Sequence, residues 1–334
     1  MSISSVKNEV KQNGRIAYFD NLKALGMLLV VIGHFVSQSS VWNEPGHKQL
    51  FLFIYSFHMP LFFLVSGFFH KNKNILKKVI TYIAYGYLCK VLLYVTNICL
   101  GKNPQFHFFW ESGLPWFLFV LAYFVFATWL VRNIDKKIVL VVACLLPCFS
   151  GYFPWINDTL CLSRAIVYFP FYFIGTLLTS DTINKIRKYQ WLAFLTLLIY
   201  ALLVFQDYKT MTILAKYFTG RNPFPISHYD FAFLFRMFAF IIALALCLAI
   251  MALVPNQIYS WTWIGGRTLQ IYLWHRVLLY FIIATNLDVL ILGLKLGGGV
   301  VWLALSVLVY VLCTLKFFLL PFKMVESCIS LRLK

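Results

Sequence analysis

Two histidines lie inside apolar runs: His34, at the end of ALGMLLVVIGH (24–34), and His58, within FLFIYSFHMPLFF (51–63). A titratable ring among apolar side chains must find hydrogen-bond partners without water, so chemistry or a specific polar contact has to explain it. The chemistry open to a buried neutral imidazole is removal of a proton from a hydroxyl or another weak nucleophile. Lys23 stands eleven positions before His34, which is three helical turns and about 16 Å of rise. The two side chains are therefore expected on one stripe, a cation at the mouth of a cavity and a base at its bottom. Pro60, two residues after His58, bends its helix and frees a carbonyl, which is tolerated at membrane depth where the backbone lines a cavity. The other reading of His58 is a hydrogen bond to a neighbouring helix, with Pro60 a plain kink.

"Membrane depth" follows from composition. Of the 334 residues 61% are hydrophobic and 12% charged, with 34 Phe and 19 Tyr, whereas an ordinary soluble chain is about 25% charged. An all-α, polytopic membrane bundle disposes of that apolar surface against lipid, at about 20 residues per crossing. Apolar runs punctuated by short polar loops suggest about ten spans, near 16–38, 48–69, 79–100, 114–131, 138–153, 163–179, 190–206, 230–254, 262–285 and 299–320. These form a single domain over 1–334, with tails at 1–15 and 322–334.

The net charge of +18 invites a nucleic-acid reading, but its distribution excludes one. Lys7, Lys11 and Arg15 precede the first span, Lys71, Lys73, Lys77 and Lys78 follow the second, and Arg132, Lys136 and Lys137 follow the fourth. Lys185, Arg187 and Lys188 follow the sixth, and Lys323, Arg332 and Lys334 end the chain. Every second loop is basic, the positive-inside pattern, so both termini are expected in the cytoplasm of a multi-pass protein of a bacterial inner or plasma membrane. The eight cysteines are scattered through apolar segments without metal-ligand spacing, so no metal site is expected.

With these residues in view, the run YFDNLKALGMLLVVIGHF (18–35), followed by FHMPLFFLVSGF (57–68), closely resembles the opening of the acyltransferase 3 membrane family, in particular its fucose 4-O-acetylase-like and polysaccharide-adhesin branch. That family's first span carries a basic residue, ten residues, then histidine; here Lys23 replaces the arginine of many members. LPWFL (114–118), RAIVYFPFYFIG (164–175) and GRTLQIYLWH (266–275) resemble later elements of the same family.

The resemblance implies transfer of an acyl group, most often acetyl from acetyl-CoA as co-substrate, to a hydroxyl of a cell-surface or lipid-linked carbohydrate, with no bound cofactor. His34 is then the expected general base and His58 its catalytic companion. Lys23, Lys71 and Lys73 are expected to hold the phosphates of the donor. Arg164, Trp116 and His275 are expected on the acceptor or charge-stabilising side, although His275 can equally be a structural hydrogen-bond partner and Trp116 an interfacial anchor. Glu111 and Asp158 are expected to be solvated in outer loops, and Lys90 to snorkel or pair. A transporter or flippase for a polysaccharide is the competing class, since spans with polar groups at the midplane and a kinked helix suit one too.

Overall fold

The computed structural model describes residues 17–38, 40–294 and 297–332; the tail expected at 1–15, with Lys7, Lys11 and Arg15, lies outside them. The principal helices are α1 (Ala17–Val36), α2 (His47–Tyr55), α3 (His58–Phe68), α4 (Ile75–Cys99), α5 (Trp116–Leu130), α6 (Lys136–Ser150) and α7 (Leu162–Leu177). They continue with α8 (Ser180–Ile186), α9 (Gln190–Gln206), α10 (Ala232–Leu253), α11 (Thr268–Ala284), α12 (Gly298–Leu312) and α13 (Leu320–Arg332). No strand forms among the described residues beyond an isolated bridge between Trp110 and Thr159. The protein is an all-α polytopic bundle.

Each apolar run read from the sequence falls on helix, but not every helix is a full crossing. Five helical stretches are long and apolar enough to span alone, and the bent pair Gly298–Leu312 with Lys316–Leu331 makes up to six. Trp116–Leu130, Leu162–Leu177 and Thr268–Ala284 are shorter; α5, for instance, rises only about 23 Å against a hydrocarbon core of about 30 Å. Length and composition alone thus mark five to six crossings among the described residues, beside the ten apolar runs of the sequence. The segment expected as a C-terminal tail is instead helical from Leu320, and Tyr85 of α4 donates to Glu326 of α13 at 2.6 Å.

The second expected span breaks at Ser56–Phe57, between α2 and α3. Pro60 has no N–H for the carbonyl four residues back, that of Ser56, so the ladder cannot run through. The break leaves His58 as the first residue of α3.

Small residues let α3 meet α7. A Cβ on Gly67 would collide with the Tyr172 carbonyl, and one on Gly175 with the Leu64 carbonyl; the two glycine Cα atoms mark the crossing. Such contacts between helices are how packing substitutes for the missing hydrophobic drive in lipid. Asn21 of α1 fastens a loop: its amide donates to the carbonyls of Pro255 and Gln257 at 3.0 and 2.9 Å and its oxygen accepts from Thr262 at 2.6 Å.

Two buried apolar clusters result. One gathers around α3, α5, α7 and α10, with Phe63, Phe124, Tyr172 and Leu246; the other around α1, α4, α11 and α12, with Val31, Cys89, Leu273 and Trp302. The outward faces of α6 and α9 expose Val141, Leu145, Phe194 and Leu198, as lipid-facing helices do.

The α3–α7 crossing is testable. Gly175→Ala should lower the yield of monodisperse protein several-fold in size-exclusion of detergent extracts, since overpacking against backbone costs about 1–3 kcal/mol. Gly293→Ala, where a Cβ meets only ordinary contacts, should not. Equal yields would mean that the helices do not meet backbone to backbone.

Candidate active site

Where the two apolar clusters meet, a cavity of about 430 Å³ opens beside the C-terminal end of α1, a size in the range of small-molecule sites. His34 of α1 and Ser37 just past its end, Tyr55 of α2, His58 and Met59 of α3, Trp116 of α5, Arg164 and Tyr168 of α7 and Tyr272, Arg276 and Tyr280 of α11 line it. Exposed Ser112, Gly113 and Arg221 form its rim.

The histidines are held in defined tautomers. His275 Nδ1 lies 2.7 Å from the carbonyl of Ile271, one turn earlier in its own helix. That carbonyl can only accept, so Nδ1 carries the proton and Nε2 of the neutral ring is an acceptor. His34 Nδ1 lies 2.7 Å from this Nε2, with the two rings nearly parallel at 5°. His34 Nδ1–H therefore donates, which leaves the His34 Nε2 lone pair for a proton arriving from elsewhere.

His58 repeats the arrangement with a shorter chain: its Nδ1–H donates to the carbonyl of Ile54 at 2.9 Å across the helix break, leaving Nε2 available. Tyr55 stands between the two, its ring centroid 4.6 Å from that of His58 and 6.5 Å from that of His34.

His275 is fully buried and does not line the cavity. Of its two expected places, the structural hydrogen-bond partner is the one observed: it stands behind His34 and reaches a bound molecule only through it. Trp116 lines the cavity wall, stacked on Tyr168 at 5.5 Å and under the Arg164 guanidinium at 4.8 Å.

Arg164 also lines the cavity, and its partners explain its burial. It pairs with Asp158 at 3.5 Å and donates to the carbonyls of Glu111 and Ser112, each at 3.2 Å. Glu111 in turn pairs with Lys90 at 3.1 Å and receives the Gly113 amide at 2.7 Å. Glu111 and Asp158 are thus bracing groups of the 111–114 rim, not solvated loop carboxylates, and Lys90 pairs instead of snorkelling.

The lysines are elsewhere. Lys23 is paired with Asp20 at 2.7 Å, one turn away on the same helix, and does not line the cavity. The expected common hollow for Lys23 and His34 is therefore not what forms: three turns separate the two groups, and the bundle core fills the interval with Met27, Val30 and Val31 packed among neighbours. Lys71 and Lys73 are exposed in the turn before α4, on the Lys23 side of the bundle. His70 beside them is held between Tyr172 and Asn72 at 2.9 and 2.8 Å. Burial lowers its pKa from the ordinary histidine value, so it adds no charge near neutral pH.

Besides the tyrosines of the wall, two charged site residues escaped the sequence reading. Arg276 had a visible signal, a charge inside an apolar helix, and with Tyr272 and Tyr280 it forms a stripe at intervals of four that faces the cavity. Arg221 had none, because it arrives on the long connection between α9 and α10. Three side chains staple that connection: Ser163 and Tyr168 of α7 donate to the carbonyls of Gly220 and Phe218 at 2.5 and 2.6 Å, and fully buried Arg236 of α10 donates to the Tyr217 carbonyl at 2.7 Å and the Asn222 side chain at 2.9 Å.

An imidazole with a free lone pair beside a half-enclosed, aromatic-walled cavity can deprotonate a hydroxyl as it attacks an electrophilic carbonyl. No curated protein and no solved structure matches the chain. A family model described as an acyltransferase domain does match it, over residues 16–318, and the chain therefore belongs to the acyltransferase 3 family and is a membrane acyltransferase.

Proposed function

We propose that the protein transfers an acyl group, acetyl from acetyl-CoA, to a hydroxyl of a cell-surface or lipid-linked carbohydrate, with His34 as general base. The observation that carries this is the His275–His34 hydrogen bond at 2.7 Å, which directs the only uncommitted imidazole nitrogen of His34 away from its partner. The acceptor hydroxyl attacks the thioester carbon while its proton passes to His34 Nε2. The C–S bond then breaks, and the imidazolium returns the proton to the departing thiolate of CoA.

His58, with its own free Nε2, orients the hydroxyl or the thioester oxygen from the opposite wall. Trp116, Tyr168 and Tyr272 offer ring faces to a sugar. Arg164, with its hydrogen bonds committed to the rim, maintains the acceptor wall in place of carrying the charge of the reaction. The direct route, without an acyl-enzyme, is preferred because none of the cavity-lining residues is a cysteine, and Ser37 and Ser112 make no hydrogen bond to an imidazole nitrogen.

The donor is assigned to the opposite end. Lys23, Lys71 and Lys73 suit the phosphates of acetyl-CoA, and for its thioester to reach His34 from there the packed Met27, Val30 and Val31 must give way to the pantetheine arm. With the basic loops cytoplasmic, the donor enters from the cytosol of a bacterial cell and the cavity faces outward, where the glycan arrives. The fucose 4-O-acetylase-like branch fits this scheme. The transporter reading loses ground to the family match.

Membranes carrying the protein should move labelled acetyl from acetyl-CoA to envelope glycan. His34→Ala should reduce transfer by about 10²–10⁴-fold, the contribution of a positioned base, at unchanged expression. His275→Ala should cost less, and His275→Gln, which places an amide oxygen near the lost Nε2, should recover part of the activity. Equal rates for His275→Ala and His275→Gln would remove the hydrogen bond from the mechanism.

Lys23 has a separate signature. If it engages the donor, Lys23→Ala should raise the KM for acetyl-CoA while leaving kcat within about twofold, and Lys23→Arg should be mild. An unaltered donor dependence would reduce Lys23 to the partner of Asp20.

A further inference from the structure

The cavity beside His34 is lined by three guanidinium groups, those of Arg164, Arg221 and Arg276, and by no aspartate or glutamate among the described residues. Arg164 is compensated by Asp158. The other two are not: Arg221 donates to the Ser112 carbonyl at 2.9 Å and Arg276 lies 4.9 Å from the Tyr280 ring centroid, and among the described residues neither has a carboxylate within ion-pair distance.

Each guanidinium has five N–H donors, so most of those on Arg221 and Arg276 are unused by the protein. Like charges converging on a half-enclosed space repel more strongly than they would in water. An arginine inside an apolar helix, as Arg276 is, is also costly to retain without a counter-ion. Yet their placement is fixed: Arg276 is on the turn next to His275, and the staples from Ser163, Tyr168 and Arg236 hold the backbone that carries Arg221.

We propose that the acceptor carries an anionic group, a carboxylate or phosphate on or next to the sugar that presents the reacting hydroxyl, and that Arg221 and Arg276 bind it. The proposal rests on the acyl-transfer reading above and names its acceptor class. Arginine suits the task because its planar fork meets a carboxylate or phosphate through two parallel hydrogen bonds, where lysine offers a point charge. The donor's own phosphates are the competing source of negative charge. The acetyl-CoA affinity of the arginine variants separates the two sources.

The test uses full-length protein in detergent and three probes: methyl glucoside, methyl glucuronide and a methyl glucoside phosphate. Calorimetric binding should favour the two anionic sugars by about tenfold or more. Arg221→Gln and Arg276→Gln should each cut that preference by about tenfold, with Arg276→Lys intermediate and acetyl-CoA affinity unmoved. Size-exclusion profiles identify any variant that fails to fold, in which case the lysine variant and the wild-type preference decide. Equal binding of all three probes overturns the proposal, and so does a loss of acetyl-CoA affinity in the glutamine variants, which would give the arginines to the donor. Arginine-dependent binding of the anionic sugars with no acetyl transferred to any probe or to envelope glycan upholds the anion site and defeats the transfer reading instead.

Discussion

The arrangement depends on one chain of hydrogen bonds, from His34 through His275 to the carbonyl of Ile271. A backbone carbonyl has no proton to give, so the direction of every donor in the chain is set from that end, and the lone pair of His34 is its consequence. The chain works only if α1 and α11 keep their register. Buried donors secure it: Tyr310 of α12 donates to the Ala24 carbonyl at 2.8 Å, Trp302 of the same helix to the Phe35 carbonyl at 3.0 Å, and Tyr18 of α1 to the Met251 carbonyl at 2.7 Å. In a medium without water each of these bonds is expensive to leave unmade, so sliding or rotating α1 would break several at once.

Three arginines line the cavity, whereas Lys23, Lys71 and Lys73 lie away from it. Lysines cluster with Lys23 in exposed or half-exposed positions, where a flexible, strongly hydrated ammonium costs little to keep. Arginines gather at the cavity, where a planar group can be stacked on Trp116 or Tyr280 and still present donors. The Lys90–Glu111 and Arg164–Asp158 pairs show how the protein treats buried charges that it uses for structure: each is matched to a carboxylate and to carbonyls of the same rim. Arg236, Arg221 and Arg276 have no carboxylate partner among the described residues, but Arg236 spends its donors on Tyr217 and Asn222 while Arg276 is held only over the Tyr280 ring, and that contrast supports the proposed anion site.

Much of the site was legible along the chain. A polar ring in an apolar run is conspicuous at His34, His58 and His275 because hydrocarbon gives it no partner. Pro60 foretold the bend that lets His58 reach Ile54. The helical pattern likewise sufficed for an all-α membrane bundle, since backbone groups in lipid must be satisfied within the segment. Hydropathy marks apolar runs as such, and these include five to six long helical stretches together with shorter apolar helices such as α5 and α11.

What the sequence determined by itself was the class of structure and the set of groups capable of chemistry, because both follow from local chemistry: apolar content, helical spacing, and the cost of a titratable side chain in lipid. The tertiary structure alone decided which of those groups meet. It paired His34 with a ring 241 positions away, set His275 behind His34 and off the cavity wall, placed Lys23 on Asp20 instead of in the cavity, and brought Arg221 to the rim on a loop with no periodicity to read. Those outcomes depend on the rotation of each helix about its axis and on long-range contacts between side chains, and neither is encoded in the spacing of residues along a single segment.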